Sequence, residues 1–166
     1  MVLADEGQII EETFHSIALE DNLLEDSPDR SVVVYLPPSY DSSPEEHYPV
    51  VYLLHGFSGH STDWIPGGWS NIVSGVDRFM TENPNREMIL VMPDHNNRYG
   101  HSNYTNSSVS GNWEDFLVEE LVQYIDTAYR TLPQATHRGL AGHSAGGAAL
   151  SEWPSGIRRH LVQCIP

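Results

Sequence analysis

The stretch Arg138-Gly139-Leu140-Ala141-Gly142-His143-Ser144-Ala145-Gly146-Gly147 decides how the chain is read. A short strand runs into Gly-x-Ser-x-Gly and then into small residues. This is the pattern of a tight strand-to-helix turn that lifts a serine hydroxyl above the end of a sheet. Such a turn needs glycine at both ends, because its backbone is strained and passes too close to its neighbours to admit a Cβ. Gly142 and Gly146 supply them. Five residues alone are a weak signal in a chain with 13 glycines; the position of the pattern after two strand-helix units makes it specific.

Working back toward the N-terminus, residues 113–130 place Phe116, Leu117, Leu121, Tyr124, Ile125 and Ala128 at helical spacing. Glu114, Asp115, Glu119 and Glu120 stand near the start of that helix, where its dipole favours acids. Residues 88–92 form an apolar strand closed by Pro93-Asp94. Ile72, Val73, Val76, Phe79 and Met80 mark an earlier helix ended by Asn83-Pro84-Asn85. The run 50–54 reads as a central strand buried on both faces, residues 31–36 as a strand stopped by Pro37-Pro38, and residues 8–17 as an edge strand. Residues 39–48 read as a surface loop. The polar connection 95–112 is long for a compact domain, and its place after a strand marks it as functional. Alternating strands and helices predict an α/β fold, a mostly parallel sheet with helices on both faces.

A length of 166 residues is one domain's worth. With 39% hydrophobic and 19% charged residues, the composition is that of a globular protein. Eight basic against 23 acidic residues give a formal charge of −15, which repels nucleic acid and anionic membrane surfaces. All eight basic residues are arginine. No apolar run approaches membrane-spanning length and the first residues lack a signal-peptide pattern, so the expected location is cytoplasmic. The single Cys164 permits no internal disulfide.

Several motifs in one order carry a resemblance: Val51-Tyr52-Leu53-Leu54-His55-Gly56, Val91-Met92-Pro93-Asp94, Ser102-Asn103-Tyr104-Thr105-Asn106-Ser107, Trp113-Glu114-Asp115-Phe116 and Gly139-Leu140-Ala141-Gly142-His143-Ser144. Over about residues 31–150 the chain resembles the esterase family of α/β-hydrolases that includes esterase D (S-formylglutathione hydrolase), feruloyl esterases and the antigen 85 type of mycolyltransferase. The resemblance implies a serine esterase acting on a small acyl ester or thioester, with hydrolysis or acyl transfer as the outcome and no cofactor. Ser144 would be the nucleophile, and the backbone N–H groups of Phe57 and Ala145 the oxyanion donors. Gly56 and Trp113 would touch substrate, within a pocket lined by residues 100–113.

Other side chains are weighed against plainer roles. His55, His60, His95 and His101, with Asp63 and Asp94, lack a recognised metal-ligand spacing and read as polar loop residues near an active-site rim. His143 is expected to pack beneath the turn. Of the tryptophans, Trp64 and Trp69 read as packing anchors, and Trp113 divides evenly between packing and substrate stacking.

Family members continue past Leu150 with strands that bear the catalytic acid and histidine. Here Pro154 and Gly156 break the following helix, so residues 1–150 read as a partial esterase domain and 151–166 as a tail outside the family pattern, from a frameshift or premature stop. Glu152 and His160 follow Ser144 in the right order, but too closely to come from two further strands. The expectations are little or no turnover by this chain alone, an unpaired edge on the strand before Ser144, and a complementing chain or oligomer as a possible partner. An inert interaction protein that keeps the scaffold is the alternative.

Overall fold

The computed structural model describes residues 6–152. Its strands and helices follow in the order β1 (Gln8–His15), β2 (Asp29–Leu36), β3 (Val50–Leu54), α1 (Ile72–Glu82), β4 (Ile89–Pro93), the two-residue strands β5 (Asn106–Ser107) and β6 (Gly111–Asn112), α2 (Trp113–Asp115), α3 (Val122–Ala128), β7 (Arg138–Gly142) and α4 (Ala145–Glu152). The main sheet is ordered β1-β2-β4-β3-β7. Its first two pairings are antiparallel, while β3 runs parallel to both β4 and β7. The mixed sheet with helices on its faces agrees with the α/β expectation.

Side chains alternate across the sheet with period two. Val32, Val34, Val50, Tyr52, Leu54, Ile89 and Val91 face one core, where Phe116, Leu117, Leu121, Ile125 and Ala149 cover them. Val33, Tyr35, Leu53, Leu90 and Met92 face the other, covered by Val73 and Met80 of α1 and by Trp64 and Ile65. Burial on both sides explains why β2, β3 and β4 read as continuous apolar runs. β7 has a strand partner on one side only among the described residues and is half-buried to exposed, as expected of an unpaired edge.

The helix expected over 113–130 is continuous from Trp113 to Ala128, but its middle, Phe116–Leu121, is a π-helix. Bonding from i to i+5 brings residues five apart onto one side. The pairs Phe116/Leu117 and Leu121/Val122 therefore face the sheet together, and all four are buried.

At the end of β7 the chain turns sharply into α4, and the turn lies against β3. A Cβ on Gly146 would stand 2.2 Å from the Leu54 carbonyl oxygen and 2.8 Å from that of His55. These are rigid backbone atoms, so Gly146→Ala forces the helix off the sheet. It is expected to cost more than about 3 kcal/mol in urea unfolding. Gly75, in the exposed middle of α1, has nothing within 4 Å of its would-be Cβ, so Gly75→Ala is expected to gain about 0.5–1 kcal/mol. Equal effects of the two substitutions would contradict this packing.

Candidate active site

Three parallel strands end on one rim of the sheet, the side where such folds place their ligands. β3 delivers the turn His55-Gly56-Phe57-Ser58-Gly59, β4 delivers Asp94 and His95, and β7 delivers Ser144. Ser144 has φ +52°, a strained value for a residue other than glycine. Hydrogen bonds from His143 N–H to the Leu54 carbonyl (3.0 Å) and from Gly146 N–H to the His143 carbonyl (3.0 Å) hold it there. A Cβ on Gly142 would meet the Gly146 carbonyl carbon at 2.5 Å, so the turn closes only because both flanking residues are glycine.

The β3 turn comes directly alongside. A Cβ on Gly56 would lie 3.2 Å from Ser144 Cβ. Gly59 N–H closes the turn onto the Gly56 carbonyl at 3.0 Å, with Ser58 at φ +56°. Neither Phe57 N–H nor Ala145 N–H, the latter at the first position of α4, has an acceptor among the described residues. Ser144 is exposed and borders an open pocket of about 320 Å³ shared with Gly56, Phe57, Asp63, Trp69 and His143. The arrangement sets one hydroxyl beside two backbone turns with uncommitted N–H groups, which is the equipment for attack on a carbonyl.

Behind the turn lies a cluster that the sequence did not reveal. His55, His95 and His101, expected as loop residues near the rim, are only 1%, 0% and 5% exposed and pack with Tyr104. The Tyr104 hydroxyl donates to the His55 carbonyl at 2.8 Å. The His95 ring lies against Trp113 and Phe116, and neither of its nitrogens has a hydrogen-bond partner among the described residues. Burial lowers the pKa of all three histidines, that of His95 well below its ordinary value. His60 stays half exposed and meets Asp94, whose other oxygen accepts from Arg30. Among the described residues, no group of three His, Cys, Asp or Glu side chains is arranged to hold a metal ion.

Other expectations are corrected. Trp113 is fully buried: Arg30 covers its ring at 4.9 Å and its indole N–H donates to the Ser110 carbonyl, so among the described residues it packs inside the fold and does not line the pocket beside Ser144. No residue of 100–113 lines the pocket beside Ser144, because the segment turns inward at His101, Ser102 and Tyr104. Trp69 is the reverse case. It is 71% exposed in the pocket wall, with its ring 4.8 Å from that of His143. His143 therefore faces outward and does not pack beneath the turn. Trp64 is buried as a packing anchor. Glu152 ends α4, while His160 and Cys164 lie outside the described residues.

The buried histidines make stability depend on pH. A histidine with a lowered folded pKa binds fewer protons folded than unfolded, so its contribution is complete above the ordinary histidine range and is lost as pH falls through about 6.5. The loss approaches about 1.4 kcal/mol per pH unit for each histidine that stays neutral. Surface His15, whose pKa is raised by hydrogen bonds to Glu20 and Asp29, acts in the opposite sense. Thermal unfolding is expected at progressively lower temperature from pH 7.5 to 5.5, with a flatter decline in His95→Phe. A midpoint that rises on acidification would contradict the neutral cluster.

The sequence profile of the Esterase family matches residues 27–150. An esterase of Mycobacterium tuberculosis (strain ATCC 25618 / H37Rv) is 35% identical over 132 residues, which cover 79% of this chain and 27% of the relative. An endo-1,4-beta-xylanase/feruloyl esterase of Xylanibacter ruminicola is 30% identical over 122 residues, covering 69% and 16%. Among solved structures, a ferulic acid esterase superposes with TM-score 0.73 at 27% identity, over 87% of this chain and 52% of its own. An S-formylglutathione hydrolase from Agrobacterium tumefaciens shares the fold with TM-score 0.63 at 20% identity, covering 89% and 52%. The chain thus spans about half the length of these structures and less than a third of the curated relatives. The profile takes in well over half of the chain on an α/β-hydrolase scaffold, and the chain belongs to the Esterase family.

Proposed function

We propose that Ser144 is the nucleophile of a serine esterase site in which the N–H groups of Phe57 and Ala145 receive the oxyanion. The observation that carries this reading is the left-handed Ser144 at the strand end, within van der Waals reach of the Gly56 turn. Ser144 Oγ attacks the ester or thioester carbonyl carbon, and the carbonyl electron pair moves onto the oxygen facing the two N–H groups. The alcohol or thiol then leaves, and water or a second alcohol releases the acyl group.

The base is a residue outside 6–152. Within that range His60 pairs with Asp94 and His55 is bonded to the backbone, while His143 lies against the Trp69 ring and makes no hydrogen bond to Ser144. Matches spanning about half of the solved relatives support a further catalytic half, and the open side of β7 is where its strands would join, from a longer chain or a complementing one. The exposed rings of Phe57 and Trp69 beside the pocket favour an ester with a flat aromatic part, in keeping with the ferulic acid esterase and the feruloyl esterase it resembles.

A fluorophosphonate tests the nucleophile without requiring turnover. An oxyanion hole retains part of its effect when triad members are missing, so the 166-residue chain is expected to form one slow covalent adduct. Peptide mapping should assign it to Ser144, Ser144→Ala should abolish it, and its rate should keep rising with pH above 7, as for a serine with no imidazole base among residues 6–152. Hydrolysis of short acyl esters should stay near background. Adducts scattered over other serines, or none on Ser144 in folded protein, would overturn the reading.

A further inference from the structure

The carbonyl of Gly56 and the N–H of Phe57 belong to one peptide unit, so in the trans form they point in opposite directions. Whatever holds that carbonyl also aims the N–H. Two donors hold it: Gly59 N–H at 3.0 Å and the imidazole Nδ1 of His55 at 2.8 Å. The other ring nitrogen, Nε2, lies 2.8 Å from the His95 backbone N–H. An amide N–H can only donate, so Nε2 must be the bare nitrogen and Nδ1 must carry the proton. The His55 carbonyl is tied in turn to the Tyr104 hydroxyl. One neutral imidazole therefore bridges the end of β4 to the turn beside Ser144.

We propose that His55 is a positioning residue: as the Nδ1–H tautomer, fixed by the His95 amide, it pins the Gly56 carbonyl and so aims Phe57 N–H at the space above Ser144. This inference rests on the esterase reading and gives that site its geometry. His55 is 1% exposed and does not reach the pocket, so it acts only through the peptide unit. Protonating Nε2 would break its bond to the His95 N–H. Burial lowers the His55 pKa, against the pull of its bond to the Gly56 carbonyl and of the Asp94 and Asp63 charges, with His101 adding to the lowering.

Three variants separate aiming from simple support. An asparagine keeps a donor near the Nδ1 position, a glutamine keeps only a group near Nε2, and a leucine keeps neither. The measurements are the rate of fluorophosphonate addition to Ser144, the thermal midpoint of each variant, and the 15N spectrum of the histidines of the intact chain. Expected are a His55 spectrum with Nδ1 protonated and Nε2 bare at pH 7.5, and a His55→Asn rate within about threefold of the parent. His55→Gln and His55→Leu are expected to be slower by on the order of tenfold to hundredfold, less than the loss of a whole oxyanion donor. If His55→Leu does not fold, the asparagine and glutamine pair and the spectrum still decide. Rates that track thermal midpoints regardless of the donor, or an Nε2–H tautomer, would overturn the proposal. If the parent Ser144 does not react, the esterase reading fails, and the tautomer alone then upholds or overturns the pinned peptide.

Discussion

The turn after β7 lies against the last carbonyls of β3 with no space between them for a side chain, and the rest of the site depends on that contact. Gly142 and Gly146 permit it, and the hydrogen bond from His143 N–H to the Leu54 carbonyl fixes its register. Ser144 then has little choice but the left-handed conformation that raises its hydroxyl. The strain, on the order of 1–3 kcal/mol, is held by two apolar cores that fix β3 from both faces of the sheet, one of which also holds β7 through Leu140. Strain at Ser144 is thus borne by packing away from the pocket.

The same contact aligns two backbone turns of different origin. One leaves β3 and is braced from behind by His55 and Tyr104; the other leaves β7 and opens α4. Their N–H groups can face one point only because β3 and β7 are parallel neighbours in register from Val50↔Arg138 to Leu54↔Gly142. A shift of one residue would turn every β7 side chain to the other face and carry Ser144 away from Gly56. Sheet register, not any side chain of the pocket, sets the distance between Ser144 and the N–H groups of Phe57 and Ala145.

Much of the fold was legible in the sequence, because strands buried on both faces must be apolar throughout and the serine turn writes its glycines at fixed local spacing. What escaped was set by the tertiary path of segments with no period. Trp69 sits in a loop and Trp113 at the first position of α2 after one, both beside glycine and polar residues, and nothing local distinguishes the ring that faces solvent in the pocket wall from the one sealed under Arg30. The inward turn of 100–113 buries His101 and Tyr104 against His55, which no spacing announces. His143, next to Ser144, reads from the sequence as lying beneath the turn, but it is exposed and lies against Trp69. The π-helical middle of the second long helix answers the shape of the core it covers, and a pattern compatible with 3.6 residues per turn conceals it.

The central claim is geometric: one hydroxyl and two main-chain N–H groups converge on a single point. A crystal structure of the chain carrying a phosphonate on Ser144 measures this most directly. The account predicts the phosphoryl oxygen within about 2.7–3.1 Å of both Phe57 N and Ala145 N, with the Gly56 carbonyl still on His55 Nδ1. A phosphoryl oxygen turned to solvent, with either N–H bonded elsewhere, would contradict it.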